Sequence, residues 1–306
     1  MVSGYLEHGH EPPKAGMCAR RRLWTLPLAL LVTGLITTPL VLGAALGYYQ
    51  LNPVALELHS EVGEFSHLLL QRFPDQTLVV DIAYQQPASP PPIQAVALLL
   101  SRINETCDKA KVTVLEHPFT SSLTRFDDAS LVNLAATERS AWPSLTQMSI
   151  LFLVLNGSYA PSVSTLGLAF RGSSAAIFEA RIAALAPKPE YVTNMTASVM
   201  IHEFGHEIGL VGIVGPAPNE DPTHPEHSSN PNDVMYYGID TIALAVFGGT
   251  PPTQFDPQDM KDLDTVRATV ILSEVIPWVI LAIDLASIYL AIFFRARTIG
   301  RKPGLE

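Results

Sequence analysis

Two histidines four residues apart, His202 and His206, with Glu203 between them, constrain this chain more than any other feature of its sequence. Residues four apart on a helix lie on one face, so both imidazoles can reach a single metal ion, and nitrogen donors favour zinc. The segment is therefore expected to be a helix running through His206, with Asn194 or Thr196 able to cap its start. Glu203 sits on the adjoining turn. There its carboxylate could take a proton from water on the ion, whose pKa zinc lowers to about 7, and pass it to a departing amine. A catalytic zinc ordinarily keeps three protein ligands and one open position, so the fold must deliver a third donor from elsewhere. Gly212 opens a loop rich in Pro, Asn, Asp, Ser and His. His224 and His227 are its rival candidates.

The stretch HEFGHEIGLVG, with Gly209 three residues after His206, resembles the metzincin metalloproteases, in which the helix ends at such a glycine and turns toward a third histidine. Gly212 stands where that histidine is expected, and it carries no donor. Further on, HSSNPNDVMYY begins at His227 and resembles the archaemetzincin order of histidine, cysteine, four residues, cysteine, one residue and methionine. Ser228 and Asp233 occupy the cysteine positions. The resemblance implies that 210–226 is an insertion in the turn, that His227 is the third zinc ligand, and that Met235 forms a Met-turn beneath the metal. It also implies that Tyr237 could stabilise the oxyanion of a tetrahedral intermediate. A further implication is that 166–170 is an edge strand on which an extended peptide substrate pairs.

Short β-rich runs at 78–84, 112–115, 149–155, 164–170 and 175–179 alternate with helical segments at 93–104 and about 256–267. Their order suggests an α+β domain over 77–268 with a mixed sheet, consistent with the metzincin-like zincin fold that the resemblance implies. Ahead of it, the segment 50–76 holds apolar residues three or four apart over 54–73, expected as an amphipathic helix that packs on the domain or lies on lipid.

Two apolar runs, 23–49 and 271–294, are each long enough to cross a hydrocarbon layer of ~30 Å. They raise the mean hydropathy to +0.24. Lys14, Arg20, Arg21 and Arg22 precede the first, and Arg295, Arg297, Arg301 and Lys302 follow the second. By the positive-inside rule the tails 1–22 and 295–306 are then cytoplasmic, and the middle is an extracytoplasmic domain of a two-pass cell-membrane protein flanked by two transmembrane helices. A cleaved signal peptide is the alternative for the first run. Asp284 lies in the middle of the second run, where a carboxylate is costly, so it needs a partner: Thr33, Thr37 or Thr38 of the first run, a second protomer, or another membrane protein. Cys18 and Cys107 would face opposite sides, which excludes an intrachain disulfide. The net charge of −10, with no basic patch, argues against nucleic acid as a partner.

These features together suggest a membrane-anchored zinc endopeptidase with one catalytic Zn2+, acting on extracytoplasmic proteins. Two other readings compete. One is an intramembrane metalloprotease, because 199–214 is apolar. The other is a non-catalytic binding domain whose zinc is closed off by both His224 and His227.

Overall fold

The structure, a computed structural model, describes residues 57–72, 76–87, 89–144, 146–247 and 250–299, together with 32, 36 and 37. The chain divides into a larger unit, 46–273, and a smaller one made of 1–45 and 274–306.

In the larger unit a short helix α1 (Ser66–Leu70) precedes β1 (Thr77–Gln86), α2 (Ile93–Thr106), β2 (Lys111–Thr120), β3 (Arg125–Phe126) and α3 (Asp128–Glu138). Then come β4 (Gln147–Val154), β5 (Ser158–Tyr159), β6 (Gly167–Phe170), β7 (Ser174–Ile177), α4 (Glu179–Leu185) and α5 (Val192–Glu207). A five-stranded sheet runs in the order β2-β1-β4-β7-β6. All its pairings are parallel except that of β6, which lies antiparallel to β7 at the edge.

The side-chain alternation of β4 explains the layers. Met148, Ile150, Phe152 and Val154 join one core, while Leu151, Leu153 and Leu155 join another. A strand apolar on both faces must be covered on both faces. Helices α2 and α5 supply Val96, Leu99, Ile103, Val199, Met200 and Phe204 to the first core, and α3 supplies Leu131, Leu134 and Ala135 to the second. Asp127 and Ser130 fix the start of α3 by a reciprocal capping box.

The expectation of an α+β class flanked by two membrane-spanning helices is corrected. The domain is a mixed α/β arrangement in which helices alternate with largely parallel strands, because the central strands are buried on both sides. Among the described residues no helix is long and apolar enough to cross a membrane. This overturns the two-pass topology and the localisation built on it. The run 23–49 lies outside the described residues except for 32, 36 and 37, as do the tails 1–22 and 300–306. The run 271–294 is not a helix of its own. It belongs to α6 (Pro257–Ile299), which also holds the polar segment expected at 256–267. Within the smaller unit, the Thr37 hydroxyl donates to the Asp284 carboxylate at 2.5 Å.

The helix expected over 54–73 is shorter than its periodicity implied. Turns occupy 62–65, and α1 follows with Leu68, Leu69 and Leu70 buried in the first core beside Phe65. That burial packs the segment on the domain. A second anchor is the ion pair between Glu57 and Arg139, 2.9 Å apart with both side chains fully buried. Arg139 also donates to the Ser149 hydroxyl (2.7 Å), the Ser173 carbonyl (2.8 Å) and the Ser174 hydroxyl (2.8 Å). Glu57 Oε1 accepts from Ser173 N at 2.8 Å.

Candidate metal centre

Helix α5 is buried from Met195 to Glu207. It starts at Val192 after a 3-10 turn, Pro189–Tyr191, with no side-chain cap. Thr196 is occupied otherwise: its hydroxyl donates to the Glu179 carboxylate at 2.8 Å. The helix stops because Gly209 takes the left-handed conformation, φ +84°, which glycine adopts without steric cost. Leu210 N then bonds back to Gly205 O at 3.1 Å.

The loop that follows contains a hairpin, β8 (Glu220–Asp221) and β9 (His224–Ser228). Ser228 N donates to Met235 O at 2.8 Å, which folds the Met235 segment back against β9. The hairpin brings His227 beside the His202 and His206 pair. Ring centroids lie 4.7 Å apart for His202 and His206, 5.2 Å for His202 and His227, and 5.1 Å for His206 and His227. One nitrogen from each falls within 4.8 Å of the others.

His202 Nδ1 donates to Val234 O at 2.7 Å, and His227 Nδ1 donates to Pro225 O at 2.9 Å. These bonds place the protons on Nδ1 and leave the Nε2 lone pairs for an ion. His202 Nε2 and His206 Nε2 are 3.1 Å apart, close to the roughly 3.3 Å edge of a tetrahedron with zinc–nitrogen bonds of about 2.05 Å. His227 Nε2 is buried and has no hydrogen bond among the described residues. Burial lowers the pKa of all three imidazoles, that of His202 to about 3, with the neighbouring histidines adding to the effect on His202 and His206. Neutral, convergent and partly orphaned nitrogens fit a zinc ion.

Met235 is fully buried. It presses on α5 so closely that a Cβ at Gly205 would stand 2.2 Å from its Sδ.

Glu203 is 1 % exposed. Its Oε2 accepts from Ala169 N of β6 at 2.6 Å, and its Oε1 has no hydrogen bond among the described residues. Burial raises its pKa well above the usual carboxylate range; Asp240 adds to the rise and the Ala169 amide opposes it. The strand can come this near only because residue 167 is glycine. A Cβ there would lie 2.2 Å from Glu203 Oε1 and 2.6 Å from Val199 Cγ1.

The structure therefore groups His202, His206 and His227 beside Glu203. His224 is directed elsewhere. Its Nδ1 bonds Asp221 Oδ2 at 2.8 Å, and its ring stacks on Tyr237 with centroids 3.7 Å apart and planes within 3°. His117 meets the buried Asp81 at 3.2 Å.

Asp240 is a site residue that sequence reasoning missed. Its Oδ2 lies 3.9 Å from His227 Nε2, and its carboxylate groups with His202 and Glu203 within 4.8 Å. Burial lifts its pKa to about 7. Leu166 N donates to Asp240 O at 2.6 Å, so a contact with the sheet edge brings it in. No ligand spacing in the sequence marks it.

No protein-family model matches the chain, and no curated protein matches it. Among solved structures it is similar to the crystal structure of archaemetzincin from Methanopyrus kandleri, with a TM-score of 0.46 and 15% sequence identity over 63% of this chain and 97% of that one.

Proposed function

We propose that the chain is a zinc-dependent endopeptidase whose ion is held by His202, His206 and His227, with Glu203 as general base and acid. The convergence of three neutral imidazoles beside a buried, partly unpartnered glutamate supports this reading most directly. Bound there, zinc would supply Lewis acidity to the scissile carbonyl and lower the pKa of water. Glu203 then takes the proton of the attacking water and returns it to the leaving amine.

The strand β6 provides the place for substrate. Leu166 O accepts from Phe178 N at 2.8 Å, so by the alternation of antiparallel pairing the backbone groups of Gly167 and Ala169 face away from β7. An extended peptide along 166–170 would pair with them. Gly167→Ala is expected to push the Glu203 carboxylate aside and cut kcat/KM by about 10²-fold, the scale of a 1 Å misplacement, while zinc content stays at one per chain. Metal analysis beside steady-state rates checks this. Equal rates would separate Gly167 from the base.

The direct test is to strip the full chain of metal with a chelator, restore zinc, and follow cleavage of a broad peptide library. Cleavage is expected only with zinc present. His227→Ala should weaken zinc binding by more than about 100-fold, since even the outer partners of such ligands are worth 10–100-fold, whereas His224→Ala should leave zinc content unchanged. A zinc-loaded wild type that cleaves nothing would overturn the proposal.

One observation favours the non-catalytic alternative: Asp240 lies near enough to act as a fourth donor. That reading predicts one tightly bound zinc with no hydrolysis, and cleavage that appears in neither wild type nor Asp240→Asn. The intramembrane reading has no such support, because α5 packs on the sheet.

A further inference from the structure

A cavity of about 270 Å³ lies between α3 and the edge strand β6. Val132 of α3, Tyr159 of β5, and Leu168 and Phe170 of β6 line it, together with Asp128 and Arg171. That volume is just below the ~300–1,000 Å³ usual for ligand pockets, so it suits one large side chain rather than a whole small molecule.

The cavity lies on the α3 face of β6. A Cβ at Gly167 would meet Val199 and Glu203 of α5, whereas Leu168 and Phe170 pack with the second core on the α3 side. Side chains alternate along a strand, and residues directly opposite each other in a strand pair share a face. A peptide paired with the free edge of β6 therefore sends every second side chain toward α5 and the intervening ones toward α3. The residue opposite Leu168 has its side chain on the face of the cavity.

The lining decides what that side chain can be. Asp128 is exposed and accepts from the Tyr159 hydroxyl, and Arg171 has no hydrogen bond or ion pair among the described residues. An ionised side chain of either sign meets a like charge there, which repels it. Val132, Leu168 and Phe170 offer apolar contact. Phe170 and Tyr159 also offer rings for offset or edge-to-face packing, and the Arg171 guanidinium is a cation that can lie over a ring face. We propose that this cavity is a specificity pocket for an aromatic side chain of the peptide docked on β6. The substrate class is then extended peptides with an aromatic residue at one fixed distance from the cleaved bond. The proposal rests on the endopeptidase reading of the three-histidine centre.

The test uses the full zinc-loaded chain and two series of short peptides, with a zinc-chelating hydroxamate at the C-terminal end in one and at the N-terminal end in the other. The chelator pins the register while each peptide position is varied in turn. At one position Phe, Tyr or Trp is expected to bind at least about tenfold more tightly than Ala, Lys or Glu, since even one methylene in an apolar pocket can be worth ~10–200-fold. The two flanking positions, directed to the other face, should show no such preference. Val132→Trp, which fills the cavity, should abolish the preference while the Ala peptide binds as it does to wild type. Val132→Ala, which enlarges the cavity, should move the preference from Phe toward Trp, and it decides the matter if the larger residue prevents folding. An aromatic preference at no position, or one that both variants leave unchanged, would overturn the proposal. Cleavage of a peptide library by the same wild type separates the two readings. Cleavage without an aromatic preference defeats the pocket alone, whereas tight aromatic hydroxamates without any cleavage defeat the endopeptidase and leave the pocket standing.

Discussion

Glu203→Gln is expected to bind one zinc ion as wild type does and to lower kcat/KM by about 10²–10⁴-fold, the contribution of a positioned acid–base group. The substitution preserves shape, and its amide oxygen can still accept the Ala169 N–H that now lies 2.6 Å from Oε2. The three histidines are untouched, because the bonds from His202 to Val234 O and from His227 to Pro225 O do not involve residue 203. What is lost is a group able to hold a proton between water and the leaving amine. The measurement pairs zinc content with progress curves on a cleaved peptide. If the variant cleaves as fast as wild type, Glu203 is not the base, whatever the fate of the zinc.

Arg139→Met is expected to cost about 3–5 kcal/mol of stability, because it strands the fully buried Glu57 carboxylate without its charge partner. For a domain of this size that corresponds to a fall in Tm of roughly 6–20 °C. The Ser149 and Ser174 hydroxyls and the Ser173 carbonyl also lose a donor. Pairing the change with Glu57→Gln should recover much of the loss, since an apolar or neutral replacement of a whole buried pair is often tolerated. Thermal unfolding of the single and double variants decides it. A single variant within about 1 kcal/mol of wild type would mean that the ion pair adds little to the hold on the 57–70 segment.

The sequence made legible those parts of the site that local geometry controls. His202 and His206 share a face because of a four-residue spacing, and Gly209 ends the helix where its left-handed φ is needed. The choice between His224 and His227 could not be made from spacing, since both sit in β9. Between them Glu226 takes a left-handed φ of +67° and the β8–β9 ladder shifts register, so which of the two looks toward α5 is decided by the shape of the hairpin. Asp240 was illegible because a backbone contact with Leu166, remote in sequence, carries it in. Glu57 and Arg139 find each other only through packing of the 57–70 segment.

The apolar runs misled for a related reason. Hydropathy weighs a stretch by itself, whereas the structure joins 271–294 to the polar residues 257–267 in one helix; the hydroxyl partner that Asp284 finds in Thr37 is one the sequence did offer. The layers of the sheet were partly legible in the alternation of 149–155. The parallel pairing of β1 with both β2 and β4 was not, since register depends on what covers each face.

The bond between Ala169 N and Glu203 gives one donor two claimants. A peptide aligned on β6 would ask for the same N–H that now tethers the carboxylate, so arrival of the substrate would itself release the base. Under the proposed function such an arrangement would be self-timing: the carboxylate would be restrained while the cleft is vacant and freed by the molecule it is to act on. A substrate analogue lacking the carbonyl that meets Ala169 would then occupy the cleft yet leave the tether in place.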